Sequence, residues 1–228
     1  MVNIAPINQG EKHVAAALIV DTSISMMGRP IEELNKGLKE FGEGLRQDSL
    51  ALGRADVTVI SFNSTVKIEI PFCPADQYQA PELAVDGLTA LNEAIDTALD
   101  ALEERKKLYR DTGVEYYRPW LFVLTDGKAS DEEREASTKA RLREYIERNK
   151  VVFMPMGIGK NADIAKLQDY YPENAPKKPV LTADSKSFKE AFVWLSNSIV
   201  EVAKADISGL EQISLPDTPD NILTVGVN

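Results

Sequence analysis

The stretch from Val14 to Gly28, VAAALIVDTSISMMG, limits the fold of this chain more than any other. Its apolar run is far shorter than the roughly 20 residues that a membrane-spanning helix needs, and it suits a strand that is buried on both faces. Such strands belong to parallel sheets covered by helices, in which ligands bind at the carboxyl ends of the strands. Asp21, Ser23 and Ser25 follow the run at that end, so the stretch predicts a functional loop there.

Three polar side chains at alternate positions of this loop offer only oxygen atoms. Asp21, Ser23 and Ser25 stand at positions i, i+2 and i+4, with no cysteine or histidine beside them. Oxygen-only donor sets suit hard divalent cations such as Mg2+ and Mn2+. The working hypothesis is therefore a metal-dependent recognition site.

Length and composition narrow the class of protein. A chain of 228 residues can bury one sizeable core, so we expect an arm at 1–13, one domain at 14–204 and a tail at 205–228. The 26 basic and 36 acidic side chains give a net charge of -10, which would repel the phosphates of a nucleic acid. The single cysteine, Cys73, cannot form an internal disulfide, and its hydrophobic surroundings predict a buried, inert thiol.

The start of the chain and its apolar runs bear on its location. The first residues lack the basic and apolar regions of a secretory signal peptide, and no apolar run is long enough to span a membrane. We therefore expect a cytoplasmic protein without membrane insertion.

The strand pattern predicts a mostly parallel sheet with one antiparallel edge. Continuous apolar runs, typical of strands buried on both faces, cover Val57–Asn63, Trp120–Thr125 and Val151–Met156. Val66, Ile68 and Ile70 instead alternate with charged residues after a three-residue turn, which predicts a hairpin and an antiparallel edge strand. A second short edge strand is expected at Val180–Thr182.

Apolar residues spaced three and four positions apart predict helices between these strands. They fall in segments 31–45, 91–102 and 188–202, with a short helix at 162–170. Ser130 or Asp131 is expected to cap a further helix, and the charged run 103–107, EERKK, to form a solvated helix face. The resulting order of elements predicts a three-layer, doubly wound α/β domain with a mostly parallel central sheet.

Two more residues could join the loop after the first strand. Asp126 follows the strand Trp120–Thr125, and Thr89 stands at the start of a helix. Both would meet Asp21 at the carboxyl edge of the sheet if the first and fourth strands were neighbours. The Thr89 hydroxyl could instead cap the free amides of its own helix, and the residues alone leave both interpretations open.

The three pieces resemble the von Willebrand factor type A domain, whose metal-ion-dependent adhesion site is Asp-x-Ser-x-Ser, then a threonine, then an aspartate. All five positions match, with Asp21, Ser23 and Ser25 in DTSIS, Thr89 in GLTALNEAI and Asp126 in LTDGK. The resemblance implies that the first strand lies beside the fourth. It also implies that the three hydroxyls donate oxygens to the ion, while both aspartates contact it directly or through water.

The resemblance further implies one coordination position left for the Asp or Glu carboxylate of a protein partner, with Mg2+ or Mn2+ favoured over Ca2+. Within the family the chain resembles bacterial intracellular proteins of the tellurite-resistance and stress-response type, on the stretches DTSISMMGRPIEELNKGL and LTDGKASD. It departs from many relatives at Gly87-Leu88-Thr89, where they have two glycines before the threonine. The tail at 205–228 lies outside the resemblance and could be a disordered end, a strand laid against the domain or a partner-binding segment.

Three hypotheses follow for the site. The first is a binding module without catalytic residues. The second is an Mg2+-dependent phosphoryl-transfer enzyme, since an acid at a strand end can serve as a nucleophile, but no acid stands two residues after Asp21 and no GxxxxGK[ST] pattern occurs. The third is a plain turn and helix cap that binds no metal.

Overall fold

The computed structural model describes residues 10–126, 129–159, 162–175, 177–183, 188–204 and 222–225. The strands within these ranges are β1 (Val14–Asp21), β2 (Ala55–Phe62), β3 (Val66–Pro74), β4 (Trp120–Thr125), β5 (Val152–Ile158), β6 (Val180–Ala183) and β7 (Ile222–Val225). The helices are α1 (Arg29–Arg46), α2 (Ser49–Arg54), α3 (Leu91–Thr112), α4 (Glu132–Glu147), α5 (Ile164–Gln168) and α6 (Phe188–Lys204).

The described strands form one sheet in the order β3-β2-β1-β4-β5-β6-β7. The five central strands are parallel, and β3 and β7 run antiparallel at the two edges. This arrangement confirms the predicted α/β fold class and the hairpin that places β3 at an edge. It also places β1 beside β4, the adjacency that the candidate site requires.

The strand β7 changes the expectation for the other edge of the sheet. Ile222–Val225 pairs with β6, so β6 is an internal strand and not the edge strand that the sequence predicted. For these four residues of the tail, the alternative of a strand laid against the domain holds. The remainder of the tail, residues 1–9 of the arm and Gly127 lie outside the described residues.

Helices cover both faces of the sheet because β1 is apolar on both sides. Every residue of β1 is buried, and successive side chains point to opposite faces. Leu18 packs in the core with α1 and α6, whereas Ile19 packs in the core with α3 and α4. The continuous apolar run therefore has the double burial that its pattern predicted.

Close contact between α1 and α6 depends on glycine. A Cβ atom at Gly37 would lie 2.2 Å from Cδ2 of Phe192. We expect Gly37→Ala to lower the free energy of unfolding by about 1–3 kcal/mol through overpacking, although alanine normally favours a helix. Urea denaturation measures the change. Lys36→Ala on the exposed side of the same helix should cost less than about 0.5 kcal/mol.

A second substitution tests the cause of that loss. In the Gly37→Ala background, Phe192→Leu should recover part of the stability because it removes the ring that the new methyl group meets. Additive losses in the double variant would show that the contact is not responsible.

The charged run 103–107 corrects a sequence expectation. Glu104 and Lys107 are exposed as predicted, but Arg105 and Lys106 are 0% and 6% exposed and belong to the buried side of α3. The Lys106 ammonium lies 5.5 Å from the ring centre of Tyr145 on α4, and it pairs with Glu103. The charge pattern of α3 does not indicate which other elements pack against it, so the burial of Arg105 and Lys106 could not be predicted from that pattern.

Arg105 belongs to a buried ion cluster, defined here as His13, Asp56, Arg105 and Tyr109. Nη2 of Arg105 lies 2.7 Å from Oδ1 of Asp56, and Nδ1 of His13 lies 2.9 Å from Oδ2 of the same carboxylate. The Tyr109 hydroxyl donates to Oδ2 as well. All four residues are 0% exposed. Burial by itself would raise the pKa of Asp56, but the contacts with His13 and Arg105 bring that pKa below its usual value.

Candidate functional site

The candidate site lies where β1 and β4 end side by side. The two strands are parallel, and Val20 of β1 is level with Leu124 of β4. Asp21 is the last residue of β1, and Asp126 follows directly after β4. The strand order therefore brings together two acids that are far apart in the sequence.

Asp21 is held in one orientation by hydrogen bonds to both carboxylate oxygens. The Ser23 amide donates to Oδ1 at 2.8 Å, and the Thr125 hydroxyl donates to Oδ2 at 2.6 Å. Asp21 is 0% exposed. Burial raises its pKa most, the bonds from Ser23 and Thr125 oppose that rise, and the charge of Asp126 adds to it. The site thus disfavours an ionised Asp21 unless positive charge lies near it.

Serine hydroxyls join the loop after β1 to Asp126. The hydroxyl oxygens of Ser23 and Ser25 lie 2.9 Å apart, and the Ser25 hydroxyl donates to Oδ1 of Asp126 at 2.7 Å. Ser23 is buried and Ser25 is exposed. The side-chain oxygens therefore lead from the buried β1 terminus to the surface.

The loop that carries Thr89 is hydrogen bonded to the loop after β1. The Asp86 amide donates to the carbonyl of Thr22 at 2.9 Å, and the Ile24 amide donates to the carbonyl of Gly87 at 3.2 Å. These backbone bonds fix the two loops against each other, so Thr89 belongs to the same edge of the sheet as Asp21.

Thr89 is also bonded to the segment that follows Asp126. Its amide donates to the Ser130 hydroxyl at 3.0 Å, and its carbonyl accepts from the Ser130 amide at 2.8 Å. The residue is 8% exposed. The structure thus places all five sequence-predicted residues on three loops that are joined by hydrogen bonds.

Helix capping does not occupy the Thr89 hydroxyl. Ala90 holds the position before α3, and the Asp131 carboxylate accepts from the amides of Asn92 and Glu93 at 3.3 and 2.8 Å. Within the described ranges, the Thr89 hydroxyl has no hydrogen-bond partner. The capping alternative for Thr89 is therefore wrong, and the hydroxyl is available to another group.

The same contacts correct the expected cap of α4. Asp131 stands at the position before α4, but its side chain makes no capping bond there. Its carboxylate instead caps α3, which is distant from it in the sequence. The sequence analysis did not predict that Thr125 would bond to Asp21 or that Ser130 would bond to Thr89. The only signal in the sequence was that both residues carry a hydroxyl and lie close to Asp126.

The donor atoms are unusual in having few charged groups. Within the described ranges, no cluster of three or more histidine, cysteine or carboxylate side chains is placed to hold a metal ion. A cation at this edge would thus depend on two carboxylates supplemented by hydroxyls. Such donors are all oxygen, which is the chemistry that hard divalent cations prefer.

The fold defines an α/β protein, with the five candidate residues at the carboxyl edge of its sheet. Residues 17–192 match the von Willebrand factor type A domain, and the chain belongs to that family. Members often take part in metal-dependent protein interactions and often bind a divalent metal at the adhesion site. A comparison with curated proteins gives no match.

Solved structures share the fold at low sequence identity. The chain is similar to the ArnB paralog VWA2 from Sulfolobus acidocaldarius, with TM-score 0.54, 16% identity and coverage of 80% of this chain and 44% of that one. It is also similar to the pilus adhesin SpaC from Lactobacillus rhamnosus GG in its open conformation, with TM-score 0.65, 13% identity and coverage of 86% of this chain and 31% of that one. Proximal thread matrix protein 1 from the mussel byssus shares the fold with TM-score 0.56, 15% identity and coverage of 83% of this chain and 48% of that one.

These likenesses concern the fold, and the chain spans less than half the length of each of the three proteins. Among the described helices, none combines the length and the apolar character that crossing a membrane requires.

Proposed function

We propose that the chain is a protein-binding module that acts through a divalent cation at the carboxyl edge of its sheet. Asp21, Ser23, Ser25, Thr89 and Asp126 would hold Mg2+ or Mn2+, with Ca2+ less suited to so small and weakly charged a donor set. When bound, the cation supplies positive charge that attracts the Asp or Glu carboxylate of a partner protein. The proposal rests chiefly on the continuous line of oxygen atoms from Ser23 through Ser25 to Asp126.

The electrostatics of the site fit a cation. Burial and the charge of Asp126 raise the pKa of Asp21, so positive charge would relieve an unfavourable carboxylate. Hydroxyl oxygens are neutral, so a cation held by them keeps much of its attraction for a further anion. A local ion also outweighs the more distant negative charges of a chain whose net charge is -10.

We propose that the chain acts as a binding module and not as a phosphoryl-transfer enzyme. The position two residues after Asp21 is Ser23, whose hydroxyl contacts Ser25, so the loop lacks a second acid to protonate a leaving group. The other acid, Asp126, accepts from Ser25. A phosphatase and nucleotidase assay with Mg2+ tests this choice, and turnover that is lost in Asp21→Asn would contradict it.

The biological setting we propose is a bacterial stress or tellurite-resistance type of system. Its support is the sequence resemblance carried by DTSISMMGRPIEELNKGL and LTDGKASD. A cytoplasmic location stays a prediction.

Titration with Mn2+ tests the metal site directly. Electron paramagnetic resonance of free Mn2+ should show one site in the full chain. We expect Asp126→Ala to weaken binding by about tenfold or more, because it removes one charged donor and the group that orients Ser25. Asp100→Ala removes an exposed acid on α3 and should leave the affinity unchanged.

Two results would contradict the proposed metal site. Equal Mn2+ affinity in the parent chain and Asp126→Ala would exclude Asp126 as a donor. Absence of bound Mn2+ in the parent chain would leave the loop after β1 as a turn without a metal function.

A further inference from the structure

In the part of the chain that the structure describes, the exposed large apolar side chains lie around the candidate site. Among the described residues, Ile24, Met27 and Leu88 are 55%, 62% and 63% exposed, and they are the large hydrophobic residues that face solvent to this extent. Single exposed apolar residues are common on protein surfaces and require no explanation. In contrast, the grouping of these three residues on the loops around one site requires an explanation.

The backbone holds these three residues, here named the apolar rim, in fixed positions. Ile24 and Met27 belong to the tight turn after Ser23, in which the Met27 amide donates to the Ile24 carbonyl at 3.0 Å. The Ile24 amide donates across to Gly87, and the Leu88 amide donates to the Ser64 hydroxyl at 2.8 Å. The two loops of the rim are therefore bonded to each other.

The hydrophobic core does not account for the rim. Met26 in the same turn is 0% exposed and packs in the core with α1 and α6, whereas its two apolar neighbours point outward. The turn thus satisfies the core with one residue and presents two others to solvent. Leu88 likewise faces solvent, while the adjacent Thr89 is buried. Water-exposed apolar area of this kind is typical of a surface that a partner covers.

We propose that the apolar rim binds large aliphatic or aromatic side chains that flank the partner's acidic residue. The inference rests on the proposed function and adds the sequence context of the acid. Charge supports this context: a run of acids would be repelled by a chain of net charge -10 beyond the reach of one cation. A single acid between apolar neighbours meets the cation and the rim together.

Selection from a peptide library tests the inference. Random 12-residue peptides displayed on phage are bound to the full chain in Mg2+ and eluted with EDTA. We expect the eluted peptides to share an acidic residue with a large apolar residue within three positions. The variant I24S/M27S/L88S should bind the strongest of these peptides at least about tenfold more weakly, because it removes apolar contact area. Glu104→Ser, an exposed change on α3, is the control and should bind as the parent chain does.

The outcomes separate this inference from the proposed function. Eluted peptides that share an acid without apolar neighbours would overturn the rim and leave the metal-dependent function standing. A parent chain that binds Mn2+ but yields no EDTA-eluted peptide would overturn the proposed function and the rim with it. Mn2+ affinity of the triple variant is measured as well, and a parallel tenfold loss there would overturn the rim, since the metal site would explain the effect.

Discussion

Replacing Asp56 with alanine should lower the free energy of unfolding by about 3–5 kcal/mol, the cost of removing one member of a buried ion pair. The guanidinium of Arg105 lies 2.7 Å from the Asp56 carboxylate, and both residues are 0% exposed. Without the carboxylate, the buried positive charge loses its counterion, and His13 loses the acceptor of its 2.9 Å contact. Urea denaturation of the full chain at pH 7 measures the change.

A surface ion pair provides the matched control. Asp100 is an acid of α3 whose side chain is 67% exposed and contacts Arg141. Asp100→Ala should cost less than about 1 kcal/mol because solvent screens the pair. The double variant Asp56→Leu/Arg105→Met should be more stable than Asp56→Ala, since it removes both charges. A loss in Asp56→Ala no larger than in Asp100→Ala would contradict the assigned role.

The acid dependence of stability gives a second check on the same residue. Since the pKa of Asp56 is lowered in the folded chain, its contribution is complete above the ordinary aspartate pKa of about 3.9. The contribution is lost as the pH falls through the lower folded-state pKa. The difference in stability between the parent chain and Asp56→Ala should therefore shrink below about pH 4.

The sequence was sufficient for elements whose signal is local. Val14–Asp21 and Trp120–Thr125 have the predicted bounds because a continuous apolar run that ends in a polar residue marks a buried strand without reference to any neighbour. The alternation in Val66, Ile68 and Ile70 likewise predicted the antiparallel edge strand. By contrast, residue patterns alone do not encode the order of strands in a sheet, and the adjacency of the first and fourth strands came from the family resemblance.

The expectations that failed depend on contacts distant in sequence. Arg105 was assigned to a solvated face because its partner Asp56 lies on another element. Asp131 was assigned to the cap of α4, but its carboxylate reaches the first turn of α3. The strand Ile222–Val225 was left open because a four-residue strand carries little signal of its own. In each case, tertiary contacts determine a role that the local pattern permits but does not specify.

Asp21→Asn should greatly weaken metal binding and leave the metal-free chain at least as stable as the parent. Asparagine can keep the bond from the Ser23 amide, and the Thr125 hydroxyl can turn to accept from the new amide. A raised pKa means that the folded chain loses stability as the pH rises through that pKa, because ionised Asp21 is buried beside Asp126. The neutral side chain avoids that loss at pH 7. Mn2+ affinity should fall by roughly 100-fold or more, since the site loses one of its two charges.

Thermal denaturation with Mg2+ and with EDTA separates the two effects. A ligand that binds only the folded state stabilises it by about 2.7 kcal/mol at 100 times its dissociation constant, so Mg2+ should raise the Tm of the parent chain and not that of Asp21→Asn. Asp111→Asn changes an exposed acid paired with Lys107 and should retain the Mg2+ effect. A Mg2+ effect that persists in Asp21→Asn would place the cation elsewhere. If Asp21→Asn proves clearly less stable in EDTA, the buried carboxylate is retained for the fold, whereas equal or higher stability would mean that the chain keeps an unfavourable charge for its ligand.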